Sequence, residues 1–215
     1  MIIDFHTHIF PDKIAQKTID TLSKKGGVPP FSSGTVTALL EEMKKCGVNV
    51  AINLPVITNP SQFDGINRFA EAVNLQYGIG EKRLISFAGI HPSCDNIEEK
   101  MEFIKNRGFL GVKIHPDYQE TYINDEGYIK ILECARANDL IVVTHAGVDF
   151  GYRDVPTKCT PSLAKAVIKR VPGVKLVLAH LGGSEMAAEV YDTLCGEDVY
   201  FETAYVLRYT DKSTF

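Results

Sequence analysis

Short runs of apolar, often β-branched residues alternate along this chain with longer segments whose apolar positions recur every three to four residues. The short runs predict strands at 2–6, 48–54, 84–91, 111–115, 140–145, 175–180 and 199–203. The longer segments predict helices. "PDKIAQKTIDTLSKKGG" ends in lysines and then glycines, a C-terminal stop. "TVTALLEEMKKCG" starts near Thr35, and "SQFDGINRFAEAVNLQYG", "DNIEEKMEFIKNRG" and "DEGYIKILECARAND" follow. "TPSLAKAVIKRVPG" has Thr160 as cap and Pro161 in the first helical position, and "SEMAAEVYDTLCG" has Ser184 as its expected cap. A last helix start is expected at "YTDKSTF".

Strand–helix alternation implies parallel strands with helices packed outside them. Continuous apolar runs such as "LIVV" and "KLVLA" suit strands buried on both faces. Seven units point to the α/β class and a TIM-type (β/α) barrel over a single domain, 1–215, with no internal repeat and no linker. An eight-fold barrel typically takes about 250 residues. Seven strands are visible here, so an eighth is expected to be absent or truncated.

Composition narrows the field. At 45% hydrophobic and 23% charged residues the chain matches an ordinary globular protein. The net charge of −4, with no clustered basic face, argues against a nucleic-acid partner. No apolar run reaches the length of a membrane span, and Asp4, His6 and His8 fall where a signal peptide needs its apolar core. Five widely spaced cysteines without a CxxC suit a reduced, cytoplasmic chain. Cys46, Cys134 and Cys195 lie in helical patterns and read as small core residues.

The chemistry is carried by six histidines: His6, His8, His91, His115, His145 and His180. All but His8 close an expected strand at its C-terminal end, and His8 lies two residues beyond His6. In a parallel barrel these ends share one face, where the active site is built. A single strand-end histidine, His91 for example, is more often a hydrogen-bonded core or loop residue. Six on one face, and none on a helix surface, favour a metal site. Neutral imidazole is the commonest ligand for zinc and similar ions. Side chains at i and i+2 of a strand point the same way, so His6 and His8 can bind one divalent ion, zinc in the first place. His145 and His180 can reach it from later strands. Three protein ligands plus water leave a catalytic site, and that water loses a proton near neutral pH.

Parity adds Lys113. In "GVKIHP", Lys113 shares a face with His115 and therefore points into the barrel. A buried lysine is costly unless paired. Two readings stay open: it neutralises a buried acid such as Glu202 or Asp4, or it holds a substrate carboxylate or carries a metal-bridging carbamate. The loop "GGVPPFSSG" is a candidate lid. His115 and Arg153, the latter in the loop after His145, are candidate substrate contacts, with a solvated loop charge as the plainer account of Arg153.

"DFHTHIFPD", "GVKIHPD", "VVTHAG", "LVLAHLGG" and "VYFETA" together resemble the metal-dependent amidohydrolase superfamily, in the branch of aminocarboxymuconate-semialdehyde decarboxylase and related hydrolases. The similarity runs over nearly the whole chain. It implies His6, His8 and His145 as metal ligands. It implies His180 as a second-metal ligand or the acid/base for the water, and Lys113 at the position of a bridging lysine or glutamate. The family also places a metal-binding aspartate at the end of an eighth strand. Asp211 does not match that motif, so an incomplete site and impaired activity are expected of this chain.

Four functions follow. The first is a hydrolase whose metal-activated water attacks a C–N or C–O bond of a small molecule. The second is a metal-dependent, non-oxidative decarboxylase with an anion pocket from Arg153 or Lys113. The third is a phosphoesterase of the polymerase/histidinol-phosphatase type, disfavoured because histidines dominate over acids. The fourth is a catalytically impaired barrel remnant. The expected partner is a small-molecule substrate, and an exposed sheet edge makes a homo-oligomer an expectation as well.

Overall fold

The computed structural model describes residues 1–80 and 83–206. The expected helix start at 209–215, and Asp211 within it, lie outside the described residues.

The element order is β1 (Ile3–Thr7), α1 (Asp12–Gly26), α2 (Val36–Cys46), β2 (Val50–Asn53), α3 (Phe63–Tyr77), β3 (Arg83–Ser86), β4 (Ala88–Gly89), α4 (Ile97–Asn106), β5 (Gly111–Ile114), α5 (Glu126–Ala137), β6 (Ile141–Thr144), α6 (Pro161–Arg170), β7 (Lys175–Leu178), α7 (Ala187–Leu194) and β8 (Tyr200–Phe201). Every paired strand is parallel, in the orders β1-β2-β3 and β4-β5-β6-β7-β8.

The strand expected at 84–91 is divided between these sheets. Phe87 still donates its N–H to Asn53 O (2.9 Å), while Ala88 already pairs with Val112. Side chains from α3 cover the changeover. Asn74 bonds both backbone groups of Ser86 (2.6 and 2.9 Å), and Asn67 bonds both of Gly89 (2.8 and 3.0 Å). The two asparagines are seven residues apart, two turns along one helix face. They satisfy backbone groups that the interrupted ladder leaves open.

Strand parity sorts the core into two layers. Val112, Ile114, Val142, Leu176 and Leu178 face outward into the main cluster beneath the helices. Val50, Ile52, Leu54, Phe87, Val143 and Val177 form the inner cluster, joined by Phe5. Lys113, between two outward residues of β5, points inward as parity requires and is 1% exposed. Below it stands Gly111, where a Cβ would collide with Ile141 O and the Phe87 ring. Glycine at this position lets the inner layer close.

Helix ends follow the sequence. Thr35 and Thr160 accept N–H groups from Ala38 and Leu163, and Gly27 ends α1 at φ 66°. Two expectations are corrected. Ser184 does not cap α7, which starts at Ala187 without a side-chain cap. Its backbone is committed elsewhere: Ser184 N donates to Ala146 O (3.1 Å), and its carbonyl accepts Val148 N (2.9 Å). These bonds tie the loop after β6 to the loop after β7. Cys46 and Cys195 are exposed, at the end of α2 and just past α7, and Cys134 is half-buried. The buried thiols are Cys94 and Cys159.

Among the described residues β1 pairs only with β2 and β8 only with β7. Between β1 and β8 lies a cleft of ≈ 800 Å³, lined by Ile3, Phe5, Val177 and Phe201 and reaching His6 and Glu202 at the rim. No described helix is long and apolar enough to cross a membrane.

Candidate metal centre and active site

Five of the six histidine rings meet at the C-terminal ends of the strands. Ring centroids link them in a chain: His8 to His6 at 5.0 Å, His6 to His180 at 5.3 Å, His180 to His145 at 4.9 Å and His145 to His115 at 4.3 Å. His91 is not part of this chain; its Nδ1 accepts Ser93 N (3.1 Å) within its own turn.

The local backbone explains how the rings converge. The β1–β2 register slips by one residue between Asp4 and Thr7. Such a bulge re-aims side chains next to an active site. It lets Phe5 pack in the inner layer while His6 turns to the rim. Just past β7 come His180 (φ 58°) and Leu181 (φ 55°), two consecutive left-handed residues without glycine. Backbone in this region costs about 1–3 kcal/mol per residue and persists where its surroundings over-determine it. Here Glu202 does so: its carbonyl accepts Leu181 N (2.7 Å), and its carboxylate accepts His180 N (2.9 Å).

Glu202 is the organising acid of the site. It is 7% exposed, and its Oε1 also accepts His6 Nδ1 (2.9 Å) while Oε2 accepts Ala204 N (2.6 Å). The sequence offered it only as an ion-pair partner for Lys113. Its main partner is instead His6. With Nδ1 donating to Glu202, His6 presents a bare Nε2, which faces His8 Nε2 at 3.1 Å. A second pair repeats this spacing: His180 Nδ1 donates to Ala204 O (2.9 Å), and its Nε2 lies 3.1 Å from His145 Nδ1. Two imidazole nitrogens bound to one zinc-sized ion stand roughly 2.9–3.4 Å apart, given metal–nitrogen bonds of ~2.0–2.1 Å. The donor set therefore fits a divalent cation. His6, His180 and Glu202 each bring a ligand atom within 4.8 Å of the others, and so do His115, His145 and Asp149.

Lys113 lies among these rings. Its ammonium has no hydrogen-bond partner. Burial lowers its pKa to about 8, with Glu202 opposing the shift. Its charge in turn adds to the effect of burial on the rings. His6, His115 and His145 are held well below the ordinary imidazole value by burial first, then by Lys113 and neighbouring rings. His8 is pushed to about 4 by the same causes, although solvent reaches its side chain.

Two carboxylates that sequence reasoning passed over stand behind His145. Burial raises the pKa of Asp117 and of Asp149. Their signal was visible in "HPD" and "GVDFGY", but only folding puts them against a ring. His115 lies flat on His145 (8° between planes), and its Nε2 is 3.5 Å from Asp149 Oδ2. Tyr118 packs edge-on against His115 at 4.4 Å and against Tyr152 at 5.1 Å, and Lys25 Nζ sits 3.5 Å from the Tyr152 ring centre. Arg153 does not enter the cluster. Its guanidinium forks onto Glu185 (2.6 and 2.9 Å) and stacks on Phe150.

Imidazoles gathered on one rim of a parallel β/α array form a donor set that a divalent cation fits. The chain belongs to the amidohydrolase family, whose model matches residues 3–214. Solved structures share the fold at low identity. A TIM-barrel protein from Bordetella bronchiseptica superposes with a TM-score of 0.67 at 15% identity, over 94% of this chain and 74% of its own. A probable 2-pyrone-4,6-dicarboxylic acid hydrolase from Acinetobacter baumannii gives 0.58 at 16%, over 99% and 74%. The 5-carboxyvanillate decarboxylase from Sphingomonas paucimobilis gives 0.55 at 16%, over 96% and 78%. No curated protein matches the chain.

Proposed function

We propose that this protein is a metal-dependent hydrolase of small molecules, with His6, His8 and His145 holding a divalent cation and His180 carrying the proton of the attacking water. The observation that supports it most is the pairing of His6 Nε2 with His8 Nε2 at 3.1 Å, with His6 anchored from behind by Glu202. A carboxylate behind a ligating histidine fixes its tautomer and raises its basicity. Zinc is the ion that imidazole ligands and a tetrahedral site favour. When bound, such an ion supplies Lewis acidity and makes water acidic near neutral pH.

The chain's own groups do the rest. His180 keeps its proton on Nδ1, donated to Ala204 O, so Nε2 is the atom that takes a proton from water and returns it to the leaving group. The bond from Nδ1 to Ala204 O (2.9 Å) holds the ring's orientation. Lys113 offers an unpaired ammonium, suited to an oxyanion or a substrate carboxylate.

The unpaired Lys113 ammonium also favours a second reading, decarboxylation of a small carboxylic acid, since it could anchor the carboxylate. The test is turnover of the zinc-, manganese- and cobalt-loaded protein on a panel of lactones, esters and amides beside hydroxylated aromatic and dienoic acids. Acid release without CO2 supports hydrolysis. CO2 release from the acids overturns it in favour of decarboxylation, and binding of no metal defeats both.

A further inference from the structure

We infer that Asp117, backed by Asp149, is a positioning residue that accepts a hydrogen bond from a His145 ring protonated at Nε2 and thereby frees both His145 Nδ1 and His180 Nε2 for work. The inference rests on the metal-centre reading above and adds to it a tautomer switch with a named acceptor.

Three buried side-chain polar atoms among the described residues lack a hydrogen-bond partner: Lys113 Nζ, Asp117 Oδ2 and His145 Nε2. The last two face each other at 3.8 Å, and Asp149 Oδ2 lies 3.9 Å from the same nitrogen. Asp117 is 1% exposed and His145 5%. Unpartnered polar atoms at such depth are uncommon, and each calls for an explanation.

Each carboxylate is aimed by its other oxygen. Asp117 Oδ1 accepts Lys158 N (3.2 Å), and Asp149 Oδ1 accepts Gly151 N (2.7 Å). Asp117 Oδ2 is thereby turned toward His145, and Asp149 Oδ2 lies between His145 and the nearer His115 Nε2 (3.5 Å). The opposite edge of the ring explains the gap. His180 donates from Nδ1 to Ala204 O, so its Nε2 is an acceptor and draws the single proton of neutral His145 onto Nδ1. His145 Nε2 is then bare, and a bare nitrogen beside two carboxylates stands off, as the distances of 3.8 and 3.9 Å record. In this tautomer the proposed base, His180 Nε2, is capped by a hydrogen bond.

For His145 Nδ1 to serve as a ligand its proton must leave. One proton leaves Nδ1 for solvent and one arrives at Nε2, so the ring stays neutral and the count is unchanged. Nε2–H then becomes a donor with Asp117 Oδ2 in front of it, and a ring shift of under about 1 Å makes the bond. The flat stack with His115 allows that in-plane slide and resists tilting. The same event uncaps His180 Nε2. Loss of the Nδ1 proton and uncapping of the base become one step, with Asp117 accepting from the Nε2–H that remains on the ring.

The experiment is nitrogen NMR of uniformly labelled protein, recording the two-bond spectra that separate Nδ1–H from Nε2–H tautomers, before and after one equivalent of zinc, on wild type, Asp117→Asn and Asp149→Asn. The expected result is His145 in the Nδ1–H form without zinc and in a hydrogen-bonded Nε2–H form with it. Asp117→Asn should lower zinc affinity roughly 10–100-fold, measured by chelator competition. An asparagine cannot accept from both Lys158 N and His145 Nε2, whereas Asp117→Glu should recover part of the loss. Zinc binding with His145 unchanged in tautomer overturns the inference while leaving the metal-centre reading intact. So does a second zinc lost on Asp149→Asn, which would make these carboxylates ligands themselves. Failure of wild type to bind zinc overturns the earlier reading instead. The wild-type spectra need no variant to fold, and circular dichroism reports the fold of the others.

Discussion

Glu202→Gln separates the role of the organising acid most cleanly. The carboxylate accepts three donors: His6 Nδ1 and His180 N on Oε1, and Ala204 N on Oε2. An amide of the same shape has one oxygen. Placed at Oε1, it keeps two bonds and turns an NH2 group against the Ala204 N–H. Flipped, it keeps one bond and opposes two donors. The better orientation still loses a bond to a charged acceptor, about 1.5–3 kcal/mol. For a chain of this size that lowers Tm by roughly 3–12 °C. The weaker acceptor behind His6 should also cost roughly 10–100-fold in metal affinity. Thermal unfolding of metal-stripped protein reads the first effect, and competition with a chromophoric chelator reads the second. A variant melting within about 1 °C of wild type, with unchanged affinity, would show that Glu202 neither fixes the His180 turn nor orients His6.

Other predictions concern charge. Lys113→Met should stabilise metal-stripped protein near pH 7. The folded-state pKa of about 8 lies below the ordinary 10.5, so the wild type gains stability as pH rises from 8 to 10.5. The advantage of the variant, roughly 3 kcal/mol at most, should shrink across that window, and a constant difference in urea melts would count against a charged, unpaired Lys113. The lowered pKa values of His6, His115 and His145 act at lower pH. Unfolded imidazoles take up protons below 6.5, while the folded ones resist. Stability is therefore complete above pH 6.5 and lost as pH falls below it, at up to ~1.4 kcal/mol per pH unit for each ring. Flat stability from pH 7 to 5 would contradict the buried cluster. Arg153→Ala should change turnover little and stability by less than about 1 kcal/mol, because its fork with Glu185 is half exposed. A collapse of kcat would mean that the fork opens to bind substrate.

What could be read along the chain was periodic or local. The period of two placed Val112 and Ile114 outside and Lys113 inside, because β geometry leaves a side chain no other choice. Thr35, Thr160 and Gly27 marked helix ends through bonds to residues three or four positions away. Parallel strands send all their C-terminal ends to one rim, so all six histidines were legible as a set before any distance was known, and only the folded chain left His91 out, bonded within its own turn. The order of partners across that rim was not. Glu202 lies 196 positions from His6, and Asp117 lies 28 from His145. No local pattern distinguishes an acid that will meet an imidazole from one that will meet water. Arg153 read as a solvated loop charge or a substrate contact, and its fork with Glu185 had no signal in the sequence; Ser184 read as a helix cap until its backbone joined the loop after β6. The division at Phe87 came from Asn67 and Asn74 on a different element. Sequence alone determined which residue types would stand on the active rim, because backbone geometry is periodic. Tertiary structure decided which nitrogen carries each proton and which charge goes unpaired, because those depend on neighbours that only the closed chain brings within hydrogen-bonding distance.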